Sequence, residues 1–566
     1  MYTEIKERNK KKYYYRVKSI RKGEKVDKER VYLGVNLNKN ELKAKEDEAD
    51  KKLSGKSEIK IEKIEEKPQE KQERKIEQPK ASEKKVTFNI SKKDNFSDWY
   101  TDIVQKAELG DVRYNVKGFI VFQPWSVLSM EKMFKYLEKV LQKKNHKPYW
   151  FPTLIPEKNL KLESEHIGGF TPQVFWVTTH GNNEPIEEKL ALRPTSETAF
   201  YQMFSLWISS YKDLPFKTYQ RANIFRYESK ATRPFLRSRE FHWIETHCAH
   251  ANMEDAMKQV HEDMNTTKEV LHDIYCLPFI FFERPSWDKF PGAERTFATD
   301  VLNPDGKVVQ QPSTHLIKQD FAKAFNIKFK DKDGKDKYVW TTCYGPAVSR
   351  IFASVIAVHG DEKGLKFPWK IAPLQVIIVV IGNEKKVLEE AKKIKSELEQ
   401  KEISCEIDSS KKRPGDKFYF WEMKGVPLRI DLGNRDIKSE KLTFYRRDTM
   451  KKDIIARKEL LNYIEKTSRD IDKNLIKQAD KLFDNSIINV KNKNELKKAV
   501  DSGKIARAGF CSIEKSGEKC AEVIEKEILA SVRGTKLEKE KPEGKTEKCV
   551  ICGKKASSVV YIAKSY

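Results

Sequence analysis

Apolar and polar positions alternate in two short runs near the start of the chain, YYYRVKSI and RVYLGV, on either side of RKGEKV around Gly23. That spacing predicts a small basic hairpin within residues 1–40. From 41 to 85 Lys, Glu and Gln dominate and aromatics nearly vanish, which predicts a short helix followed by a solvated linker. Aromatic-rich strands and helical stretches then run without a Pro/Gly-rich break, predicting one large α+β domain over 86–370. After Pro373 the apolar run LQVIIVVI suits a buried parallel strand. KKVLEEAKKIKSELEQK sets Val387, Leu388, Ala391, Ile394 and Leu398 on one helical face. With ISCEI and VPLRIDL these make a strand-helix-strand rhythm, hence a small α/β domain over 371–485. Residues 486–566 read as a separate small module.

A chain of 566 residues fits about three or four such units. Its 111 Lys+Arg against 85 Asp+Glu leave a net charge of +26, suited to a polyanionic partner such as nucleic acid. No apolar stretch approaches a membrane span and MYTEIKERNKKKYYY lacks a signal-peptide core, so the expectation is a cytoplasmic protein without membrane partners. Eight cysteines, four of them in the last 56 residues, point to metal binding there rather than to a disulfide framework.

Neither GxxxxGK[ST] nor GxGxxG occurs, so any bound nucleotide must be held by arginines rather than by a glycine-rich loop. Residues 220–250 read as strand, basic loop and strand. Alternation sets Arg226 with Glu228 on one face of the first strand, and Trp243, Glu245 and His247 on one face of the second. A guanidinium fork can grip an α-phosphate and stabilise charge building on phosphorus. An isolated R-x-E pair is usually a surface ion pair, so the surrounding residues decide.

LRPTSETAF (192–200), FRYE with TRPFLRSREF (225–241) and YGPAVSRIFASVIAVHGDEKGL (344–365) resemble, in that order, the proline-binding segment and motifs 2 and 3 of class II prolyl-tRNA synthetases of the archaeal and eukaryotic type. The resemblance runs from about residue 90 to Tyr566. It implies a homodimer with an antiparallel-sheet catalytic domain, an anticodon-binding domain and a C-terminal zinc module. The implied reaction joins L-proline to ATP, with Mg²⁺, and transfers the prolyl group to tRNA(Pro). Residues 41–85 would then be a passive tether or a tRNA-contacting arm.

Carried over by position, Arg226 is the α-phosphate clamp and Arg350 grips the far end of ATP, so these two are the catalytic candidates. The proline pocket would comprise Thr195, Glu197, Arg226, His247 and His315, since a secondary ammonium needs a carboxylate and an acceptor. PTSE also fits a helix N-cap formed by Thr195 or Ser196. ATP contacts would come from Arg226, Glu228, Arg237, Ser238, Gln310, Ser313, Ser349 and Arg350. Motif 1, a helix and strand ending in a proline at the dimer interface, is matched by Pro124.

Departures from the family pattern cluster at 311–317, where Pro312 removes a backbone donor, and at Thr246, where glycine is usual. His247, Cys248 and His250 could suggest zinc, but on a strand His247 points away from the other two. Only about ninety residues separate His250 from motif 3, so the editing domain that bacterial-type relatives insert there is not expected.

SSKKRPGDKFYFWEMKGVPLRIDLGNRD (409–436) resembles the anticodon-binding domain, with Lys417, Glu422 and Arg435 as candidate tRNA contacts. Such a run also suits a solvated face of a basic protein. Cys549 and Cys552 form a CxxCG knuckle, and with Cys511 and Cys520 supply four thiolates for a closed structural Zn²⁺. The final VVYIAKSY resembles relatives whose terminal tyrosine and carboxylate reach back towards the active site. Two rivals stand beside this reading: a catalytically silent paralogue that only binds tRNA, and a synthetase for another small amino acid.

Overall fold

The computed structural model describes residues 1–8, 11–22, 25–53, 91–161, 173–229 and 231–566. The turn at Gly23, the linker over 54–85 and the domain start at Val86 lie outside the described residues. Two units are distinguished, residues 1–83 and 84–566.

The first unit has three strands where the sequence suggested two. The strands β1 (Tyr2–Arg8), β2 (Lys11–Lys22) and β3 (Lys25–Val35) form an antiparallel sheet in the order β1-β2-β3. Helix α1 (Lys39–Leu53) follows. Among the described residues of this unit Val17, Leu33 and Ala49 are the buried apolar ones.

In the second unit an eleven-stranded sheet carries Gln310, Ser313, His315 and His247, while Arg226 follows one of its strands and Arg350 lies on a helix. Its antiparallel centre runs Ala293–Leu302, Lys307–Ile317, Trp340–Tyr344, Glu240–His250 and Phe216–Phe225. The helix Val348–His359, buried along nearly its whole length, packs with Pro124–Lys143 and Phe96–Lys106 in the largest apolar cluster. Pro124 corrects one expectation: it opens its helix at the first turn, where its missing N–H costs nothing, instead of closing a strand. The helix is followed by the two-residue strand Lys147–Pro148 at the sheet edge, so the order helix, strand, proline ends at Pro148.

Val376–Val380, buried at every position, is the second strand of a five-stranded sheet. It lies parallel to Cys405–Asp408 and Leu428–Leu432, and Lys441–Arg446 and Lys451–Ala456 extend the sheet antiparallel. The helix Lys385–Glu399 buries Val387, Ala391, Ile394 and Leu398, while Leu388 packs at the margin.

The C-terminal segment is not a detached module. Ser531–Lys536 pairs with Ile280–Glu283, so the strands Ile487–Val490, Ile505–Phe510 and Ser558–Ser565 continue the catalytic sheet. Gly534 makes the junction possible: its φ is 127°, and a Cβ there would sit 2.1 Å from the Glu283 carbonyl oxygen.

Candidate active site

A cavity of about 300 Å³ opens where these strands end, lined by Thr195, Glu197, Arg226, Gln310, Ser313, His315 and Arg350 among the expected residues. The segment ahead of the helix Glu197–Trp207 shapes one wall. Ser196 occupies the N-cap position but makes no side-chain cap. Its hydroxyl instead accepts a 2.9 Å hydrogen bond from Gln220 Nε2. The Thr195 hydroxyl donates to Glu197, and the Cys343 thiol reaches the other Glu197 oxygen at 3.5 Å. A fully buried carboxylate is thus held in place at this end.

His247 and Glu245, both fully buried, stand behind that wall with Nε2 and Oε2 3.2 Å apart. Gln220 Nε2 donates to the other Glu245 oxygen at 2.6 Å. His247 therefore supports the pocket rather than lining it. The alternation expected for His247, Cys248 and His250 holds, since the latter two turn towards Lys217. The cluster that does assemble is Glu197, His247 and Cys343, with ligand atoms within 4.8 Å, but Glu197 and Cys343 belong to the pocket wall and His247 stands behind it.

His315 takes up Thr296 Oγ1 at 3.0 Å and Ser313 Oγ at 3.1 Å. Burial, helped by the nearby charge of Arg284, pushes its pKa down to about 3, so the ring is neutral at pH 7. The departures at Gln311 and Pro312 are absorbed by a bulge. Ala298 pairs with Ser313 and Asp300 with Gln310, which leaves Thr299 alone opposite Gln311 and Pro312. Pro312 thus sits where no ladder donor is needed, and its carbonyl accepts from Thr299 Oγ1 at 2.9 Å. Thr246 is fully buried, and its hydroxyl finds no partner among the described residues.

Arg226 follows the strand Phe216–Phe225 rather than lying within it, which corrects the expected alternation with Glu228. The Glu228 N–H turns back to the Arg226 carbonyl at 2.8 Å, and Glu228 pairs with Arg237 at 4.0 Å in the loop beyond. Arg226 Nε donates to the Pro194 carbonyl at 2.9 Å. Its guanidinium carbon lies 5.3 Å from the Phe241 ring centre, and that of Arg350 lies 5.9 Å from the same ring. Burial lowers the Arg350 pKa to about 10, and the like charges of Arg226 and Arg237 add to the shift. Two clustered guanidiniums held by backbone carbonyls, with no carboxylate forked onto either among the described residues, are poised for an anionic ligand.

Sequence reasoning missed Phe241 as a cavity wall, and missed Arg284 altogether. Arg284 donates to Asp300 at 2.9 Å and to Gln310 Oε1 at 3.1 Å, so it both lines the cavity and orients Gln310. Glu228, Arg237, Ser238 and Ser349 are not in the cavity wall. Ser238 Oγ donates to the Glu240 carbonyl at 2.6 Å, and the buried Ser349 hydroxyl accepts from the His242 N–H at 3.3 Å.

Of the three anticodon candidates only Arg435 is exposed. Lys417 is 3% exposed and donates to the carbonyls of Val380 and Asp408, so its ammonium ties strands together beneath the groove it borders. Glu422 pairs with Arg429 at 3.1 Å and Lys363 at 3.6 Å.

Cys511, Cys520, Cys549 and Cys552 meet with all four sulfurs within 4.8 Å of one another. Gly553, at φ 70°, turns the knuckle sharply enough for the Cys549 carbonyl to accept its N–H. A tetrahedral ion with Zn–S bonds of about 2.3 Å needs sulfurs about 3.8 Å apart. Cys511 and Cys520 stand at 3.7 Å, so the donor set fits zinc. Tyr566 also reaches back: its hydroxyl donates to Asp305 at 2.7 Å and lies 3.5 Å from Arg233 of the motif 2 loop.

Residues 175–359 match the tRNA synthetase class II core domain (G, H, P, S and T), 375–467 an anticodon-binding domain, and 493–566 the prolyl-tRNA synthetase C-terminal domain. The proline--tRNA ligase of Thermofilum pendens is 44% identical over 490 residues, covering 86% of this chain and 100% of the relative. The chain belongs to the prolyl-tRNA synthetases. The proline--tRNA ligase of Methanopyrus kandleri, 42% identical over 475 residues, covers 83% of this chain and 96% of its own. The Giardia lamblia prolyl-tRNA synthetase in complex with prolyl-adenylate superposes with a TM-score of 0.81 at 37% identity, over 85% of this chain and 100% of that one.

Proposed function

We propose that this synthetase charges tRNA(Pro) with L-proline through the cavity between Glu197 and Arg350. The observation that carries this reading is the chemical polarity of the cavity. Glu197 and Thr195 stand at one end for a secondary ammonium, and Arg226 and Arg350 flank Phe241 for phosphates and an aromatic base. The proline carboxylate attacks the α-phosphorus of ATP, a P–O bond breaks and pyrophosphate leaves. A terminal ribose hydroxyl of the tRNA then attacks the prolyl carbonyl and AMP departs. The carboxylate needs no general base, so the rate comes from positioning and from guanidinium stabilisation of charge. Mg²⁺ accompanies ATP as part of the substrate and shares its phosphate charge.

In this reading residues 86–370 catalyse, 371–485 bind the anticodon and 486–566 hold the zinc. Arg226 clamps the α-phosphate, and Arg350 holds the far end of ATP. Gln310 and Ser313 serve the nucleotide, and His315 completes the proline end. Glu228 and Arg237 serve ATP from the paired loop beyond Arg226, while Ser238, Ser349 and His247 act by holding neighbouring backbone and side chains. Arg435 is the exposed anticodon contact, with Lys417 and Glu422 shaping the surface around it. Cys511, Cys520, Cys549 and Cys552 bind one Zn²⁺, which supplies a fold-stabilising crosslink and no chemistry.

Two copies form a homodimer in the cytoplasm, where the cysteine thiols stay reduced. Pyrophosphate exchange compared with proline, alanine, cysteine and threonine tests the reading. Exchange dependent on proline supports it, and exchange with none identifies a silent paralogue.

A further inference from the structure

Unit 1 lies outside all three family matches, and the charging reaction described above makes no use of it. Its charge is unevenly distributed. Residues 1–35 hold 12 Lys+Arg and 5 Asp+Glu, a net +7, whereas α1 holds five of each and is neutral. The helix settles which face of the sheet is covered. Arg16 forks onto Asp50 with bonds of 2.7 and 2.6 Å and donates to Thr3 at 2.9 Å, and Thr3 also bonds Glu46. Thr3 and Arg16 are register partners, so their face is the one packed on α1.

Partners across an antiparallel ladder share a face, and the next residue along takes the other. The face turned away from α1 therefore carries Glu4, Lys6, Tyr13, Tyr15, Arg30 and Tyr32 around the buried Val17, the register partner of Arg30. Contacts agree with that register. Tyr15 and Tyr32 have ring centres 5.3 Å apart, Lys6 Nζ stands 5.7 Å over the Tyr15 ring, and Arg30 reaches Glu4 at 3.0 Å across β2. Tyr32 is 53% exposed, which leaves its ring accessible to a ligand. Aromatic rings set among cations on a sheet face suit unpaired bases, which stack on the rings while the cations meet the phosphates.

We propose that this face of unit 1 binds the tRNA substrate, stacking an unpaired base on Tyr32 beside Tyr15 while Arg30 and Lys6 hold the adjoining phosphates. The inference rests on the charging reading for the identity of the RNA. It adds a contact that neither the catalytic nor the anticodon-binding part supplies.

The test uses the full chain and the variants Tyr32→Ala, Tyr32→Phe and Arg30→Glu, with tRNA(Pro) transcript binding followed by anisotropy over a range of salt. Tyr32→Ala should weaken binding about five- to tenfold, and Tyr32→Phe, which keeps the ring, should restore it. Arg30→Glu should weaken binding and make the dependence of log K on log salt shallower by about one unit. Proline-dependent pyrophosphate exchange, which needs no tRNA, should be unchanged in all three. Unaltered tRNA affinity and salt slope in Tyr32→Ala and Arg30→Glu, or tighter binding to a DNA duplex than to the tRNA, would overturn the proposal. Failure of the parent chain to exchange with proline would instead count against the charging reading, because it is measured without tRNA.

Discussion

Arg533, on a C-terminal strand, forks onto the buried carboxylate of Asp300 in the catalytic sheet, with bonds of 2.6 and 3.0 Å. Arg284 takes the same carboxylate from the cavity side and donates to the Arg533 carbonyl at 2.7 Å. One aspartate therefore links the C-terminal strands to the cavity wall formed by Arg284 and Gln310. Removing it leaves two guanidiniums buried without their counter-charge.

Asp300→Asn should lower stability by about 3–5 kcal/mol, the usual cost of breaking a buried pair, and should raise KM for ATP through Arg284 and Gln310. Burial alone would raise the Asp300 pKa, but the two arginines outweigh it and bring the carboxyl down to about 2. A pKa depressed on folding adds stability above the unfolded value near 3.9 that is lost as pH falls towards 2. The parent should therefore lose about 2 kcal/mol from this group between pH 4 and 2, and Asp300→Asn should lose correspondingly less over the same range. Denaturant titrations at several pH values check both.

Arg226→Ala and Arg350→Ala should each cut proline-dependent exchange by at least about 100-fold, since each removes a cation from the developing charge. Both arginines use only their Nε for backbone carbonyls, Pro194 and Leu236, so the fold should survive. Circular dichroism and exchange assays on the same samples separate the two effects. Near-normal exchange in both variants would remove them from the chemistry.

That Arg226 and Arg350 line one cavity was legible only through the family resemblance, because each sits in a short motif matched residue by residue. Pairings between distant segments were not. Nothing in the periodicity of 531–536 says that it adds to 280–283, so the C-terminal part read as separate. Arg284 was invisible for the same reason, its partners being Asp300, Gln310 and the Arg533 carbonyl. Lys417 misled in another way. A lysine in a polar run reads as solvated, and only the three-dimensional fold shows its ammonium satisfied by two carbonyls beneath the surface.

Elemental analysis of protein purified without chelators should give one zinc per chain. Cys549→Ser with Cys552→Ser should abolish it and lower the melting midpoint, because half of the thiolate set is lost. Tyr566 follows the strand Ser558–Ser565 and meets Arg233, so aminoacylation should fall while Arg226 and Arg350 stay in place. Metal-free protein with an unchanged melting profile in the double variant would contradict the site.

Trp150 is 91% exposed, two residues beyond the edge strand Lys147–Pro148, and Leu206 is 72% exposed on a helix whose Trp207 packs 5.4 Å from Tyr149. Large apolar side chains gathered at an unpaired edge are costly in water and are the kind of surface a second copy covers. Trp150→Glu should therefore shift the protein from dimer to monomer in light scattering at micromolar concentration. Its melting midpoint should change little in the monomer, since Trp150 contributes almost nothing to the core of its own chain. A parent that is already monomeric, or a variant that stays dimeric with unchanged dissociation, would show that this edge is not the interface.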